Sequence, residues 1–548
     1  MAHATDIGVD RDGSSRPAGQ GTGDPATRPR PRVGCLDGGR GRRCGIGAGG
    51  RDGAAAAADT RQRGDFNRDG YADLAVGIPG EDALGRADSG AVLVTYGGPS
   101  GLSWNSADTQ ALWPGDEHGT PGVAEAGSRF GSSLASGDFN GDGMGDLAVG
   151  APGANGYAGA VYVVYGSPAK LNHGTRGRVF RQGDGGVADV AEAGDGFGRT
   201  LAAADVDGDG RTDLVVGSPN ETVDDVEEAG TVQVLFGGAR GLSGSGSQIL
   251  QQGTGGVPNR PAASNLYGSA LAACDFNGDG AADLAVDAPG QDVGEALVAG
   301  MVLVTYGGPG GLTGGTKQYG QGQRGVRDEA EAGDEFGHAL AAGDFDGDGL
   351  CDLAVGTPRE DVGTVRDAGV LQVLRGGPDG LTGTTPVFRE GALGVSDSAE
   401  PQDFFGYAMT AADFDGDGRD DLAVSTLNED RDVADSGVVH FLPGGPALLT
   451  GEHSVALRVG DGLAGTPSSR DRFGAAMAAG DFNRDGHADL AIAEPGHELQ
   501  GQSGAGAVHV LYPKWLGSAR QLRHQGSPEG FDTPSADDRY GAAVATSG

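Results

Sequence analysis

Short apolar runs alternate with turns rich in Gly, Pro and Asp from residue 65 onward. One kind of run has the strict alternation expected of a strand, as in GAVLVTYGG at 90–98 and GAVYVVYGS at 159–167. Runs of this length, bounded by turn residues, are typical of β-strands, and none is as long as an ordinary helix. A weaker strand is expected near Val179 and Phe180. The pattern predicts an all-β protein.

One phrase organises these runs and returns seven times, as DFNRDGYADLAVG at 65 and as close relatives beginning at 138, 205, 275, 344, 413 and 481. The mean spacing is about 69 residues, and self-similarity at a fixed period is the signature of a repeat architecture. An aromatic–Gly pair, such as Phe130-Gly131, lies eight residues before each copy after the first. Each period therefore holds about four short strands, which is the content of one β-propeller blade.

The two ends of the repeating region complement each other. No aromatic–Gly pair precedes Asp65, whereas Tyr540-Gly541 near the C-terminus is followed by one short apolar run and no acidic loop. If that run completes the first blade, the ring closes and leaves no open sheet edge. We therefore predict a seven-bladed β-propeller over residues 64–548, closed by its C-terminal strand.

Composition separates an N-terminal segment from this region. Residues 1–63 contain 11 Arg, 7 Asp and no aromatic residue, so we predict a disordered, low-complexity segment without a recognisable signal peptide. The net charge of the whole chain is −38, which argues against binding to nucleic acid or anionic lipid. No apolar stretch approaches the ~20 residues of a transmembrane helix. We expect Cys274 and Cys351 to be small packed thiols.

The acidic part of each phrase has the spacing D-x-[DN]-x-D-G-x-x-D. Oxygen-bearing side chains at alternate positions converge on a cation when the loop curls, the Gly at position 6 allows the bend, and the position-7 carbonyl adds an oxygen. Hard oxygen donors select Ca²⁺ over Zn²⁺ or Cu²⁺. The predicted ligands, at positions 1, 3, 5, 7 and 9, are Asp65, Asn67, Asp69, Tyr71 and Asp73; Asp138, Asn140, Asp142, Met144 and Asp146; Asp205, Asp207, Asp209, Arg211 and Asp213; Asp275, Asn277, Asp279, Ala281 and Asp283; Asp344, Asp346, Asp348, Leu350 and Asp352; Asp413, Asp415, Asp417, Arg419 and Asp421; and Asp481, Asn483, Asp485, His487 and Asp489.

These loops are not EF-hands, because an apolar residue such as Val149 stands where an EF-hand has its bidentate Glu. A single copy could be an ordinary acidic β-turn, but seven copies in register favour a metal site. Like charges packed this closely disfavour joint ionisation unless a cation compensates them. We expect up to seven structural Ca²⁺ ions.

The combined motif resembles the FG-GAP repeats of integrin α-subunit propellers and related bacterial proteins. The two halves of that name are visible as Phe130-Gly131 and as Gly150-Ala151-Pro152. The resemblance covers residues 65–548 and implies that positions 1, 3, 5, 7 and 9 of each loop are Ca²⁺ ligands, in loops that join the first two strands of a blade. It also implies that other loops, chiefly on the opposite face, bind ligands. Only some integrin blades keep such a loop, whereas all seven keep it here.

Two functions remain open at this point. The first is an integrin-like recognition or cell-adhesion module, secreted or on the cell surface and monomeric, that binds an unknown protein or glycan through its loops. The second is a propeller that accompanies or acts as a secreted, phospholipase-like hydrolase, although we identify no catalytic residues. The turns between second and third strands vary most, for example at Glu81-Asp82, Asn220-Glu221 and Glu360-Asp361, and are either binding loops or simply solvated.

Overall fold

The structure is a computed structural model that describes residues 64–105, 107–172, 177–383, 386–430, 433–513, 520–525 and 533–546. The predicted disordered segment 1–63 lies outside these residues. Within the described ranges the helical segments are a single turn, α1 (Ala154–Tyr157), and a 3-10 turn at Ala83–Gly85. No helix in this part of the chain has the length and apolar character needed to cross a membrane.

The described residues otherwise form short strands that follow one another along the chain. In chain order they are β1 (Leu74–Ile78), β2 (Ala91–Thr95), β3 (Thr109–Leu112), β4 (Ser133–Gly137), β5 (Asp146–Ala151), β6 (Ala160–Val164), β7 (Arg178–Phe180), β8 (Thr200–Ala204), β9 (Asp213–Ser218), β10 (Thr231–Phe236), β11 (Ser243–Leu250), β12 (Leu271–Cys274), β13 (Asp283–Ala288), β14 (Met301–Thr305), β15 (Thr316–Tyr319), β16 (Ala339–Gly343), β17 (Asp352–Thr357), β18 (Val370–Arg375), β19 (Thr382–Gly383), β20 (Phe405–Ala412), β21 (Asp421–Thr426), β22 (Val438–Leu442), β23 (Val455–Val459), β24 (Gly462–Leu463), β25 (Met477–Gly480), β26 (Asp489–Glu494), β27 (Ala507–Leu511), β28 (Arg520–Arg523) and β29 (Ala543–Ala545).

The strands form seven sheets, and each sheet is one propeller blade. Blades two to seven use consecutive strands, whereas the first has the order β29-β1-β2-β3, so the C-terminal strand supplies its inner edge. The inner strands β4, β8, β12, β16, β20, β25 and β29 contact one another in that order, and β29 contacts β4 in turn. The prediction of a closed seven-bladed ring is confirmed.

The second strand of each blade is the most deeply buried part of the fold. Every residue of β5 is buried, as is every residue of β9, because neighbouring blades cover both faces of each sheet. One core cluster, for example, joins Phe66 and Val94 of the first blade to Val149 and Tyr162 of the second. A fully buried side chain of this kind stabilises the fold by roughly 1.5–3 kcal/mol. The blades are therefore held together mainly by apolar packing between sheets.

A glycine before each third strand permits close contact between blades. Gly90 has φ +80°, and a Cβ there would lie 2.1 Å from the carbonyl oxygen of Phe130 in the next blade. The Phe130 N–H donates to the carbonyl oxygen of Ser89 at 3.1 Å. Any side chain at residue 90 would therefore separate the two backbones, which explains why a glycine precedes the alternating run.

Cys274 and Cys351 are joined by a disulfide bond, with their Cα atoms 6.0 Å apart. Cys274 ends β12 and Cys351 directly precedes β17, so the bond crosses from the fourth blade to the fifth. The expectation of two separate packed thiols is wrong. Each sister repeat has a non-cysteine residue at these positions, so the repeat pattern gave no sign of the pairing.

Candidate metal-binding loops

Each predicted loop connects the inner strand of a blade to its buried second strand. Asp138 directly follows β4, and Asp146, eight residues later, begins β5. The loop at Asp65 is the exception in chain order, because the inner strand of its blade is β29 from the far end of the sequence. The rigid second strand therefore fixes position 9, while positions 1 to 7 form the turn.

The first aspartate of each loop organises the turn around itself. Asp138 Oδ1 accepts hydrogen bonds from the N–H groups of Gly141 at 2.7 Å and Asp142 at 3.0 Å, and its Oδ2 accepts from Gly143 at 2.8 Å. The bond from the position-6 glycine recurs in all seven loops, at 2.6–3.0 Å. In addition, Asp142 Oδ1 accepts from the N–H of Met144 at 3.0 Å. The curled conformation that the spacing predicts is thus formed by the loop's own backbone.

The aspartate at position 9 is buried and is held from two sides. Asp146 Oδ2 accepts from the N–H of Phe139 at 3.0 Å, and its Oδ1 accepts from the N–H of Gly166, which follows the third strand, at 2.9 Å. The seventh blade differs, because Pro513 occupies the position of Gly166 and has no N–H to donate. There Asp489 keeps the bond from Phe482 at 2.9 Å and has Asn483 Nδ2 at 3.4 Å.

Burial of these aspartates opposes their ionisation. Removal from water raises the pKa of Asp146 and Asp489 to about 8, and neighbouring loop carboxylates add to the effect while backbone hydrogen bonds oppose it. The same cause raises the pKa of the position-9 residue to about 7 in Asp213, Asp283, Asp352 and Asp421. A cation beside them would stabilise the charged form, which is the form that ligates a metal.

Several predicted ligands converge on common points. Carboxylate atoms of Asp205, Asp207 and Asp213 lie within 4.8 Å of one another, and the same holds for Asp344, Asp346 and Asp348. In the seventh loop the buried Oδ1 atom of Asn483 has no hydrogen-bond partner among the described residues. These are all hard oxygen donors, and a site with this many oxygen ligands suits Ca²⁺ better than Mg²⁺. The residues present therefore fit a calcium ion.

The seven loops are joined into a closed ring by backbone hydrogen bonds. In each case the N–H at position 8 of one loop donates to the carbonyl oxygen at position 1 of the preceding blade's loop, at 2.8–3.1 Å. The seven bonds run from Ala72 to Asp481, Gly145 to Asp65, Thr212 to Asp138, Ala282 to Asp205, Cys351 to Asp275, Asp420 to Asp344 and Ala488 to Asp413. The conformation of one loop is therefore coupled to that of both neighbours.

Three loops have aspartate at position 3 and therefore carry four predicted carboxylate ligands. In the same three loops an arginine forms an ion pair with one of these carboxylates. Arg211 contacts Asp209 at 2.8 Å, and Arg419 contacts Asp417 at 2.7 Å. In the fifth blade Arg375 lies 3.0 Å from Asp348 Oδ2 and also pairs with Asp346. The guanidinium groups offset the additional negative charge.

The repeats match a known family. A family model described as FG-GAP repeat matches residues 63–95, 130–164, 197–235, 267–304, 336–374, 405–442 and 473–511. The chain is an FG-GAP repeat protein. Each matched segment contains one of the seven acidic loops together with the second and third strands of its blade.

Relatives of this FG-GAP protein include two kinds of larger protein. It is 40% identical to bovine phosphatidylinositol-glycan-specific phospholipase D over 160 residues, 28% of this chain and 18% of that protein. It is 33% identical to integrin alpha-PS2 of Drosophila melanogaster over 240 residues, 43% of this chain and 16% of the integrin. The matched region thus spans less than a fifth of each relative. Among solved structures, rhamnogalacturonan lyase YesW is 15% identical with a TM-score of 0.30, covering 65% of this chain and 58% of that chain, a likeness too distant to support an inference.

The structure brings acidic ligands together in the loops at Asp205 and Asp344, and it adds contacts that the motif does not contain. One of the two N–H groups that hold Asp146 at position 9, that of Gly166, comes from beyond the third strand, 20 residues away. Arg375 lies 27 residues after Asp348 and is likewise outside the loop. Arg211 and Arg419 could have been found, since each occupies position 7 beside its partner at position 5.

Proposed function

We propose that this FG-GAP propeller is a calcium-stabilised, extracytoplasmic recognition or adhesion module with one structural Ca²⁺ in each blade. The observation that carries the calcium assignment is the closed ring of seven loops, in which oxygen-bearing side chains curl around common points and a cation would keep buried aspartates such as Asp146 ionised. The loop carboxylates, the position-3 side chain and the position-7 carbonyl would hold the ion. Bound there, it would neutralise these carboxylates and fasten adjacent blades.

Calorimetric titration of the metal-stripped full chain tests this assignment. We expect close to seven Ca²⁺ per chain, with Mg²⁺ binding more weakly at the same sites. Binding of no more than one or two ions would contradict a metal in every blade.

The extracytoplasmic location is supported by the bond between Cys274 and Cys351, because disulfides persist mainly in oxidising compartments. Mass spectrometry of the native protein, digested without reduction, should recover the two cysteines in one linked peptide. Recovery of both as free thiols from native material would argue for a reducing compartment.

Recognition is assigned to the face opposite the metal loops, which carries the connections between second and third strands and those from each outer strand to the next blade. The strongly exposed large apolar side chains of the described residues all lie in connections on this face: Leu84, Val123, Tyr157, Val190, Leu297, Val298 and Leu393. Exposed apolar residues concentrated on one face favour a binding surface.

A screen of glycan and protein arrays tests recognition. A ligand found in this way should bind the double variant Leu84→Ser/Tyr157→Ser at least tenfold more weakly. The matched control Arg68→Ser lies on the metal-loop face and should leave binding unchanged. Equal loss in both variants would contradict the assignment of this face.

The second candidate function is that of a phospholipase-like hydrolase or its accessory domain, and the similarity to bovine phosphatidylinositol-glycan-specific phospholipase D favours it. The cavity between inner strands, of about 250 Å³, is lined by Leu, Ala, Ser, Thr, Met and Val side chains, which are not ionisable at physiological pH. An assay of the purified chain with a glycosylphosphatidylinositol-anchored protein decides between the two. Turnover would favour the hydrolase, and binding without turnover would favour recognition.

A further inference from the structure

Five of the seven junctions between neighbouring blades share a set of three polar positions on the face opposite the metal loops. The first position lies just after the outer strand of one blade. The other two belong to the following blade: one lies before its aromatic–Gly pair, and the other lies just after its second strand. The variable turns contribute the third position, and their glutamates are buried: Glu81, Glu221, Glu360 and Glu429 are 3–7% exposed. These glutamates are therefore neither solvated nor available as binding loops.

At most of the clearly related junctions an amide side chain bridges the set. Gln182 Nε2 donates to Glu221 Oε2 at 2.5 Å, and Gln321 does the same to Glu360 at 2.5 Å. Gln525 Nε2 donates to Glu81 Oε2 at 2.6 Å. The amide therefore supplies the N–H that a buried carboxylate needs.

One junction has amides at all three positions and carries no charge. Asn265 Nδ2 donates to Gln252 Oε1 at 2.7 Å, and Gln252 Nε2 donates to Gln291 Oε1 at 2.9 Å. This junction is a natural reference for the same geometry without carboxylates.

The junction between the fifth and sixth blades replaces the bridging amide with a third carboxylate. Glu390 occupies the position of Gln182 and Gln321, and it faces Asp403 and Glu429. Carboxylate atoms of the three residues lie within 4.8 Å of one another, and the residues are only 2–3% exposed. Three acceptors therefore meet where the sister junctions have a donor.

The hydrogen bonds at this junction leave two carboxylate oxygens without partners. Glu390 Oε1 accepts from Thr426 Oγ1 at 2.8 Å and contacts His440 Nε2 at 2.7 Å, and Asp403 Oδ2 accepts from a backbone N–H. The buried atoms Glu390 Oε2 and Glu429 Oε2 have no hydrogen-bond partner among the described residues. Unpaired buried carboxylate oxygens are costly unless a cation or a proton reaches them.

The basic side chains that the structure describes next to this cluster, Arg458 and His440, already have partners. Arg458, the cation that acts on Glu429, has its guanidinium paired with Asp397. His440 is fully buried and its Nε2 already bonds Glu390. Neither of them hydrogen-bonds Glu390 Oε2 or Glu429 Oε2, and a cation from solution would supply the missing charge.

We propose that Glu390, Asp403 and Glu429 form a second type of metal site, specific to the junction of the fifth and sixth blades, that binds an oxygen-preferring divalent cation. Three carboxylates supply the ligands that Ca²⁺ and Mn²⁺ prefer. Thr426 and His440 orient Glu390 from behind, as residues around metal ligands commonly do. The site lies on the face opposite the FG-GAP loops and does not depend on whether they bind metal.

Burial and mutual repulsion raise the pKa values of this cluster. Burial raises the pKa of Asp403 to about 7 and that of Glu429 to about 8, and the charge of Glu390 adds to both shifts. A proton shared among the carboxylates is the competing explanation, and metal counting separates the two.

Crystals of the full chain soaked in Mn²⁺ locate the ion directly. We expect an anomalous difference peak between Glu390, Asp403 and Glu429, and none at the amide junction of Gln252 and Gln291. Peaks in the acidic loops are scored separately, so failure of either assignment is visible without the other. Clear peaks in the loops with none at Glu390 would overturn the proposal.

The substitution Glu390→Gln restores the amide of the sister junctions and tests the site in solution. We expect this variant to fold and to bind one Ca²⁺ fewer per chain by calorimetry. The matched control Glu360→Gln removes an equally buried carboxylate at a junction that already has an amide, and it should leave the count unchanged. An unchanged count in Glu390→Gln, or an equal loss in both variants, would refute a cation site at this junction.

Discussion

The two faces of the propeller use acidic side chains in different ways. On the loop face, carboxylates such as Asp138 accept hydrogen bonds from backbone N–H groups of the same nine-residue loop. On the opposite face, buried carboxylates such as Glu221 and Glu360 accept from amide side chains 39 residues away in the preceding blade. The first kind of hydrogen bond forms within a single loop, whereas the second forms only when two blades have packed together.

This difference has an energetic counterpart. Loop carboxylates are close together and, apart from the buried aspartate at position 9, mostly lie near solvent, so a cation from solution can reach them. Junction carboxylates are shielded from water, and several of them accept a hydrogen bond from an amide side chain. A proton, or the proposed cation at Glu390, would remove their charge. The loop face should therefore respond strongly to metal, and most junctions of the opposite face should respond to pH.

Removal of calcium should have the largest effect on stability, and it is the strongest test of the difference between the two faces. At ~1 mM Ca²⁺ and a dissociation constant of ~0.1 mM, each site stabilises the fold by roughly 1.4 kcal/mol, and seven sites by about 10 kcal/mol. We expect scanning calorimetry in chelator to show a greatly lowered melting temperature, restored by Ca²⁺. The same melting temperature with and without chelator would contradict a structural role for the loops.

Loss of one position-9 aspartate should have a smaller, local effect. In Asp146→Asn we expect one Ca²⁺ fewer per chain and a loss of about 1–3 kcal/mol, because a charged acceptor of two buried N–H groups becomes neutral. Denaturant unfolding at saturating Ca²⁺ measures the change. The control Asp224→Asn, in an exposed turn of the opposite face, should stay within about 0.5 kcal/mol of the parent.

The buried carboxylates of the opposite face should make the stability of the protein depend on pH. Burial raises the pKa of Glu221 to about 8 from an ordinary value of 4.5, so the folded state holds a proton that the unfolded state has lost between these values. Stability should therefore fall as pH rises from about 5 to 8, by at most about 1.4 kcal/mol per pH unit for this group. We expect Glu221→Gln to flatten the pH profile of the melting temperature in that range. An unchanged slope would mean that Glu221 is already ionised at neutral pH.

The smallest expected effect concerns the arginines on the loop face. Arg375 competes with a cation for Asp346 and Asp348, so Arg375→Gln should raise the Ca²⁺ affinity of that loop a few-fold and lower stability in chelator by up to about 1 kcal/mol. Titration of the variant in low salt measures both changes. The control Arg359→Gln breaks a surface pair with Glu335 on the opposite face and should change neither. A weaker affinity in Arg375→Gln would mean that Arg375 orders the loop instead of competing for it.

The sequence predicted those features that depend on short spacing. Seven blades, the closing strand β29 and the acidic loops all follow from patterns that repeat every ~69 residues, and the structure confirms the ring and its closure. Whether all seven loops bind Ca²⁺ stays a prediction. The bond between Cys274 and Cys351 was missed because each cysteine occurs in one repeat only and their proximity depends on packing of the fourth blade against the fifth.

The cluster at Glu390 was missed for the same physical reason. Its three residues come from separate turns of two blades, and no local spacing relates them. A comparison of the repeats would have shown that Glu390 stands where Gln182 and Gln321 stand in sister repeats, but only the structure shows what lies opposite. In the sequence, a long-range contact of this kind appears only as a residue that departs from the repeat. The sequence does not show which residues it contacts.

The loop at Asp65 gives the closed ring a consequence for synthesis of the chain. Its blade lacks an inner strand until residues 543–545 have left the ribosome, and the hydrogen bond from Ala72 waits for Asp481 of the seventh blade. The first blade to be translated is therefore the last to be completed. During elongation β1 presents an unpaired edge that can pair wrongly with other strands. A chaperone that covers this edge, or early metal binding at the loops of the other blades, would protect the chain most in that interval.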